Sequence, residues 1–416
     1  MFLFSREELA MSCTVRSWFT AAAFGALVPL LALGAPPKAY VGNFKDNTVS
    51  VIDTGTATVV ATIPVAAGPH GMTQTPDGRT VYVSGDGASS VSAIDTATDR
   101  VVRTLEVGKA PHGLAMTPNG RVLAVAVYGE DTVVFVDTAS HERLAAAAVP
   151  KPHTIAVRPD GSVAYVASQE PGKFALAVID LKSFAVIRSL PLDKPPRDLE
   201  FGRDGKALYF TIAGENAVQV LDPATDRIVA RIPTGVSPHV ATLFPGASAG
   251  TVVVQGPGEL LLFDPDTNTA LRTIAVGKQP HWLAANGTGS VVYVTNEGSN
   301  DVSIVDLASG RTQTVPVGTA PRKVVLQRVV AGAGASVSIN NFAFAPKDIV
   351  IEAGQTVIWT NDDGAPHGLT YKDGAKGADL LLPGTQFSRS FETAGTYDYV
   401  CSVHPFMAGR VVVRSR

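Results

Sequence analysis

The chain is periodic. Seven times an apolar run closes on an aspartate, as SVID, SAID, FVD, AVID, QVLD, LLFD and SIVD, and Asp53, Asp95, Asp137, Asp180, Asp222, Asp264 and Asp306 stand 42 or 43 residues apart. A second landmark, proline followed by a basic residue, recurs at His70, His112, His153, Arg197, His239, His281 and Arg322, at intervals of 41 to 44 residues. Two unrelated landmarks with one period define a structural repeat. A unit of this size cannot bury its apolar face alone, so it folds only as an array.

Each unit carries four strand signals. In the second unit HGLAMT leads into the turn Pro118-Asn119-Gly120. The first unit has Pro76-Asp77-Gly78 there, then TVYVSG, SVSAID, a polar turn and RVVRTLEV. The strands are β-branched and the separators are Asn-Gly or Asp-Gly turns, which makes each unit a four-stranded propeller blade. A content of 39 Gly and 28 Pro suits such a turn-rich, all-β chain. The chain enters in the middle of a unit, at KAYVGN from Lys38, and leaves after the first strand of another, at KVVLQ from Lys323 to Gln327. One blade is then shared by both ends, which closes a seven-bladed ring and hides its edges. The units resemble the YVTN family of propeller repeats over residues 38–328, most plainly at Tyr293-Val294-Thr295-Asn296. That resemblance implies a fold and leaves the activity open, because propellers host many functions.

The seven Pro-basic positions begin the innermost strands, so they converge at one mouth of the channel. Two readings stand for this ring. The imidazoles are satisfied by backbone of neighbouring blades, or they bind a second metal, a haem or an anion. Two guanidinium groups nearby favour neutral imidazoles, the metal-binding form.

The pattern ends after Gln327. Residues 329–336 are small and Gly/Ala-rich and read as a linker, and residues 337–416 as a compact antiparallel β-sandwich. Its chemistry sits in TVIWTNDDGAPHGLTY, with His367, and in GTYDYVCSVHPFMAGRVVV, with Cys401, His404 and Met407. One thiolate, two imidazoles and a thioether are the donor set of a mononuclear blue-copper centre: the soft thiolate shares charge with copper and a weak axial thioether favours Cu(I). Cys-x-x-His-x-x-Met puts three donors on one loop, and His367 closes the site from another.

This module resembles the cupredoxins, amicyanin most closely, through Trp359, Asn361, Pro366-His367 and the run from Tyr397 to Met407. The resemblance implies a Greek-key sandwich with one type 1 copper. It implies that Asn361 hydrogen-bonds near Ser402 and ties the ligand loops together. It also implies that His404 reaches the surface inside an apolar rim of Pro366, Pro405 and Phe406, where a redox partner protein docks. A propeller followed by a cupredoxin is also similar in layout to nitrous oxide reductase, though its binuclear C-terminal site needs two cysteines.

Residues 1–35 read as a cleavable export signal: Arg16 precedes an apolar run from Ala21 to Ala35, too short to span a bilayer, and Met11 offers an alternative start. Removal of the leader takes Cys13 with it and leaves Cys401 as the one thiol in an oxidising, periplasmic setting, where a metal bond protects it. A net charge of −3 without basic runs argues against nucleic acid or an anionic membrane as a partner. Two cysteines exclude a four-thiolate site. The expectation is an exported single-electron carrier with the propeller as docking or sensing scaffold. The alternatives are an oxidoreductase whose histidine ring is fed electrons by the copper domain, and a cell-envelope module that stores or delivers copper.

Overall fold

The computed structural model describes residues 37–414, except 203, 245–248, 288, 329–335, 354, 373, 376 and 392. The expected export signal, with Cys13, and the expected linker up to residue 335 lie outside the described residues. Among those described, the chain is strand and turn with one single-turn helix at Tyr128–Glu130, and no helix is long and apolar enough to cross a membrane.

Seven four-stranded antiparallel sheets form the propeller. Every innermost strand starts on the landmark proline, as in Pro69–Gln74, Pro111–Met116 and Pro152–Val157. The middle two strands of a blade are buried along almost their whole length, as in Thr80–Gly85 and Ser90–Asp95, because both faces of each sheet pack on neighbouring blades. The outermost strands, such as Arg100–Glu106, bury little.

The repeating aspartate has a local cause. It ends the third strand, and in all seven blades its carboxylate accepts backbone N–H groups two or three residues ahead. This is an Asx turn, which Asp forms readily. Four residues beyond each aspartate the backbone turns left-handed, at Ala57, Asp99, His141, Phe184, Asp226, Asn268 and Gly310. The aspartate therefore shapes the hairpin to the outer strand.

One sheet pairs Pro321–Leu326 with Lys38–Asn43, then with Thr48–Asp53 and Thr58–Pro64, so both ends of the ring share a blade. From this blade the Tyr40 hydroxyl donates to Asp99 Oδ1 at 2.6 Å and the Lys38 ammonium meets Asp99 Oδ2 at 2.6 Å, tying the seam to the next blade. Tyr40→Phe deletes a part-buried bond to a charged acceptor. The expected loss is about 1.5–3 kcal/mol, read as a lower urea midpoint at unchanged slope.

After the propeller come two four-stranded sheets packed as a sandwich. One runs Ala343–Ala345, Ser336–Asn340, Gln355–Asn361, Gln386–Phe391; the other Asp348–Glu352, Ala408–Arg414, Gly395–Val400, Thr370–Tyr371. The expectation of a purely antiparallel sandwich is corrected here. Ser336–Asn340 runs parallel to Gln355–Asn361, and Asp348–Glu352 runs parallel to Ala408–Arg414. The chain visits the opposite sheet between members of each pair, and such crossovers bring strands back in the same direction. The core gathers around Trp359, Tyr371, Phe391 and Tyr399.

The sandwich rests on the turn ends of blades near the start of the ring. Arg121 pairs with Asp362 at 2.9 Å, and Ile358 and Gln386 line a cleft with Thr75, Pro76, Asp77 and Asn119. The chain leaving the ring is pinned as well: Arg328 N–H donates to Gln74 Oε1 at 2.9 Å. His141, on a polar turn of the second full blade, lines the same cleft.

Candidate metal centre

The ligand loop follows directly from the strand Gly395–Val400. Cys401 N–H donates to the Met407 carbonyl at 3.0 Å and Met407 N–H to the His404 carbonyl at 2.9 Å, so Cys401 to Met407 closes into a tight loop before Ala408–Arg414 begins. The thiol and the thioether both fall inside the core, Cys401 fully buried and Met407 3% exposed. The Cys401 sulfur accepts N–H groups from Gly368 at 3.4 Å and His404 at 3.3 Å. A Cβ at Gly368 would collide with Ser402 Oγ and the Ala378 and Asp379 carbonyls, so only glycine lets the His367 loop approach this closely.

His367 is fully buried, and its Nδ1 lies 3.6 Å from the sulfur. His404 Nδ1 lies 3.8 Å from the sulfur and 3.2 Å from His367 Nδ1. Among the described residues this is the one group of three or more His, Cys, Asp or Glu donors within 4.8 Å of one another. The triangle tests the fit of copper. Bonds of about 2.0–2.3 Å arranged around one ion hold N and S donors roughly 3.4–3.8 Å apart, close to the spacings found. Thiolate and imidazole donors suit copper in both oxidation states.

The link expected between Asn361 and Ser402 takes a different form. Asn361 Nδ2 donates to the Ala365 and Leu381 carbonyls at 2.9 and 2.8 Å, whereas Ser402 Oγ donates to the Asp379 carbonyl at 3.3 Å. Both loops are fastened to the segment around Asp379–Leu381, because His367 itself bridges Leu381 through its backbone.

Phe406 is 75% exposed with its ring 6.0 Å from that of His404, and Pro366, Pro405, Val403 and Phe342 are also exposed. Phe342 and Asp363 are two residues of this site that the sequence reading does not single out. The Phe342 ring stands edge-on to His404 at 5.0 Å and to His367 at 5.6 Å. Asp363 Oδ2 lies 3.2 Å from His367 Nε2, and its carboxyl is held below the usual range first by the Phe342 N–H. A carboxylate four residues before a histidine is a legible signal; the approach of Phe342 is not, since it depends on the turn at Asn341.

The landmark histidines form a second assembly. His70 stacks on His112 at 3.8 Å, His112 on His153 at 3.9 Å, and His239 on His281 at 4.1 Å, with 5.7 Å between His70 and His281. His112 and His153 aim Nδ1 at the carbonyls of His153 and Arg197, each at 3.0 Å. Arg197 donates to Ser237, and Arg322 pairs with Glu297 at 3.2 Å while covering Phe44. Burial is the main reason all five ring imidazoles stay neutral; His153 falls to about 4 and His239 to about 3. Neighbouring cations act in the same direction but second to burial. The stacked rings hold their donors pairwise, short of the three-donor convergence seen at Cys401.

The histidine ring and the contact with the sandwich lie toward opposite ends of the innermost strands. In the first three full blades the innermost strand runs from the basic residue to a Pro-Asp-Gly or Pro-Asn-Gly turn, roughly 17–20 Å for six residues. The copper-type module contacts the turn end, at Asn119 and Arg121.

Two family models match. One, described as copper binding proteins of the plastocyanin/azurin family, covers residues 331–414; the other, a YNCE-like beta-propeller, covers residues 12–119. The chain is similar to amicyanin of Paracoccus versutus, with 35% identity over 82 residues covering 18% of this chain and 62% of that protein. It is similar to amicyanin-alpha of Methylorubrum extorquens, with 38% identity covering 21% and 77%. Plastocyanin of Scenedesmus fuscus shows 38% identity covering 15% and 74%. The chain thus spans just under two thirds of the first of these relatives. Among solved structures, Kuenenia stuttgartiensis hydrazine synthase superposes with a TM-score of 0.59 at 20% identity, over 64% of this chain and 91% of that one. At that identity the likeness is one of fold.

Proposed function

We propose that this chain, which belongs through residues 331–414 to the plastocyanin/azurin family of copper-binding proteins, carries single electrons through one copper held by His367, Cys401, His404 and Met407. The observation that carries this reading is the triangle of two Nδ1 atoms and one buried sulfur, all within 4.8 Å. Bound copper supplies a one-electron couple. The protein's part is to hold four donors on two loops that share one anchor, so little moves when the charge changes. Burial of Cys401 and Met407 keeps water from the sulfur side. The half-buried His404 is the group nearest solvent, and Phe406, Pro405, Pro366, Val403 and Phe342 form an apolar collar around it. Such a collar docks a redox partner and excludes water where the electron crosses.

The propeller acts in this reading as a scaffold that holds the copper domain at a set orientation through Arg121–Asp362 and the pinned exit at Arg328. The oxidoreductase reading needs electrons to reach the histidine ring from a domain seated at the opposite end of the innermost strands, which disfavours it. Storage or delivery predicts a site that does not cycle. The apolar run from Ala21 to Ala35, read as part of an export signal, supports a carrier working outside the cytoplasm.

The test uses the full chain loaded with copper. The expected result is one copper per chain, an intense visible band when oxidised, and its full return after a reduction and reoxidation cycle. Phe406→Glu is expected to leave that band unchanged and to slow electron exchange with an apolar-faced redox protein about tenfold. A colourless chain that does not cycle removes the carrier reading.

A further inference from the structure

The strands Ser336–Asn340 and Ala343–Ala345 are joined by Asn341 and Phe342, both left-handed, with φ of 50° and 55°. A two-residue turn of this kind ordinarily carries Asn-Gly. Phenylalanine in the second place costs about 1–2 kcal/mol relative to a relaxed backbone. Its backbone is held there by Asp363, whose Oδ2 accepts the Phe342 N–H at 2.8 Å, while the ring packs on His404 and His367. That same oxygen faces His367 Nε2 at 3.2 Å, while Oδ1 accepts Gly364 N–H at 2.9 Å. The Asp363 N–H in turn donates to Asn361 Oδ1 at 3.0 Å. Its side chain is only 14% exposed. A carboxylate fixed by two backbone N–H groups and aimed at one imidazole nitrogen is more than a surface acid. Its neighbour Asp362 points elsewhere, to Arg121 and Ser338.

We propose that Asp363 is a positioning residue for the copper centre: it keeps the His367 proton on Nε2 and so turns the Nδ1 lone pair toward Cys401. The inference rests on the copper reading given above. An imidazole whose far nitrogen donates to a carboxylate has one tautomer, one ring orientation and a more basic ligand atom. The backbone of His367 is engaged by Leu381, which places the residue but leaves the choice of tautomer to the side-chain partner.

The test uses the full chain with ¹⁵N-histidine, as wild type, Asp363→Ala, Asp363→Asn and Asp362→Asn. In the metal-free wild type, His367 is expected to show a single Nε2-protonated ¹⁵N signature, replaced by a tautomer mixture in Asp363→Ala. Cu(II) affinity, read by competition with a chelator, is expected to fall 10–100-fold in Asp363→Ala and by less in the isosteric Asp363→Asn. Asp362→Asn is expected to match the wild type in both measurements. An unchanged tautomer together with unchanged affinity in Asp363→Ala overturns the proposal. If Asp363→Ala does not fold, the near-isosteric Asp363→Leu, which has no acceptor, replaces it, and an unchanged tautomer with wild-type affinity there overturns the proposal. A wild type that takes up no Cu(II) is instead the failure of the copper reading, and the tautomer still tests Asp363 in the metal-free chain.

Discussion

Cys401→Ser is expected to give a folded chain that binds Cu(II) at least about 100-fold more weakly and has lost the intense visible band. The effect should exceed that of deleting a hydrogen-bond partner of a ligand, which costs about 10–100-fold, because the substitution removes a ligand itself. At neutral pH serine is a neutral hydroxyl, so the site loses a negative charge as well as a soft, polarisable donor. The two N–H groups from Gly368 and His404 that now face the sulfur would face a shorter, harder oxygen. Folding should survive, because Ser is the closest available match to a fully buried Cys401 in volume; unfolding by urea is the control. Retention of stoichiometric Cu(II) with its band unchanged would show that the sulfur is not a donor. The triangle with His367 and His404 would then be only a packing arrangement.

The second large effect is a loss of stability on mild acidification, originating in the propeller and independent of copper. The ring imidazoles at His70, His112, His153, His239 and His281 are neutral in the folded chain because burial penalises the cation. In the unfolded chain they titrate near about 6.5. The unfolded state therefore binds more protons below that pH, and stability rises with pH through this window. The stabilisation is fully present above about pH 6.5 and is lost as pH falls toward the folded values, about 4 for His153 and about 3 for His239. His153 alone accounts for about 2 kcal/mol between pH 7 and pH 5. The capping aspartates act later: hydrogen bonds to the turn hold six of them below their ordinary value, so their contribution is present above about pH 4 and fades only below it. Calorimetry from about pH 7.5 to 4.5 should show the melting temperature falling from about pH 6.5, and His153→Gln should flatten the slope. A melting temperature flat between about pH 7 and pH 5 would mean that the ring is charged or open to water.

Much of the site is legible in the sequence because its spacing is local. Cys401, His404 and Met407 share one loop, and a loop between two strands leaves few ways to arrange them. Asp363 lies four residues before His367 and is equally local, but an acid at a turn has many ordinary uses. Phe342 is beyond the reach of local pattern: only the pairing of Ser336–Asn340 with Ala343–Ala345 lifts its ring against the two imidazoles. The antiparallel expectation for the sandwich fails for a related reason. Strand signals report burial and propensity, whereas strand direction is set by which sheet the intervening chain crosses.

Periodicity alone determined the blades, because a repeating 42-residue pattern of buried strands and capped turns has one economical way to cover its edges, by joining Lys38–Asn43 to Pro321–Leu326. The residue types on the Cys401 loop determined the metal, since donor softness belongs to the side chain and not to the fold. Which end of the ring carries the copper domain, which carbonyls hold the ring imidazoles and which aromatic ring stands against His367 and His404 were decided only in three dimensions. Those contacts join residues far apart in the chain, as Arg121 and Asp362 are, and no local pattern encodes their approach.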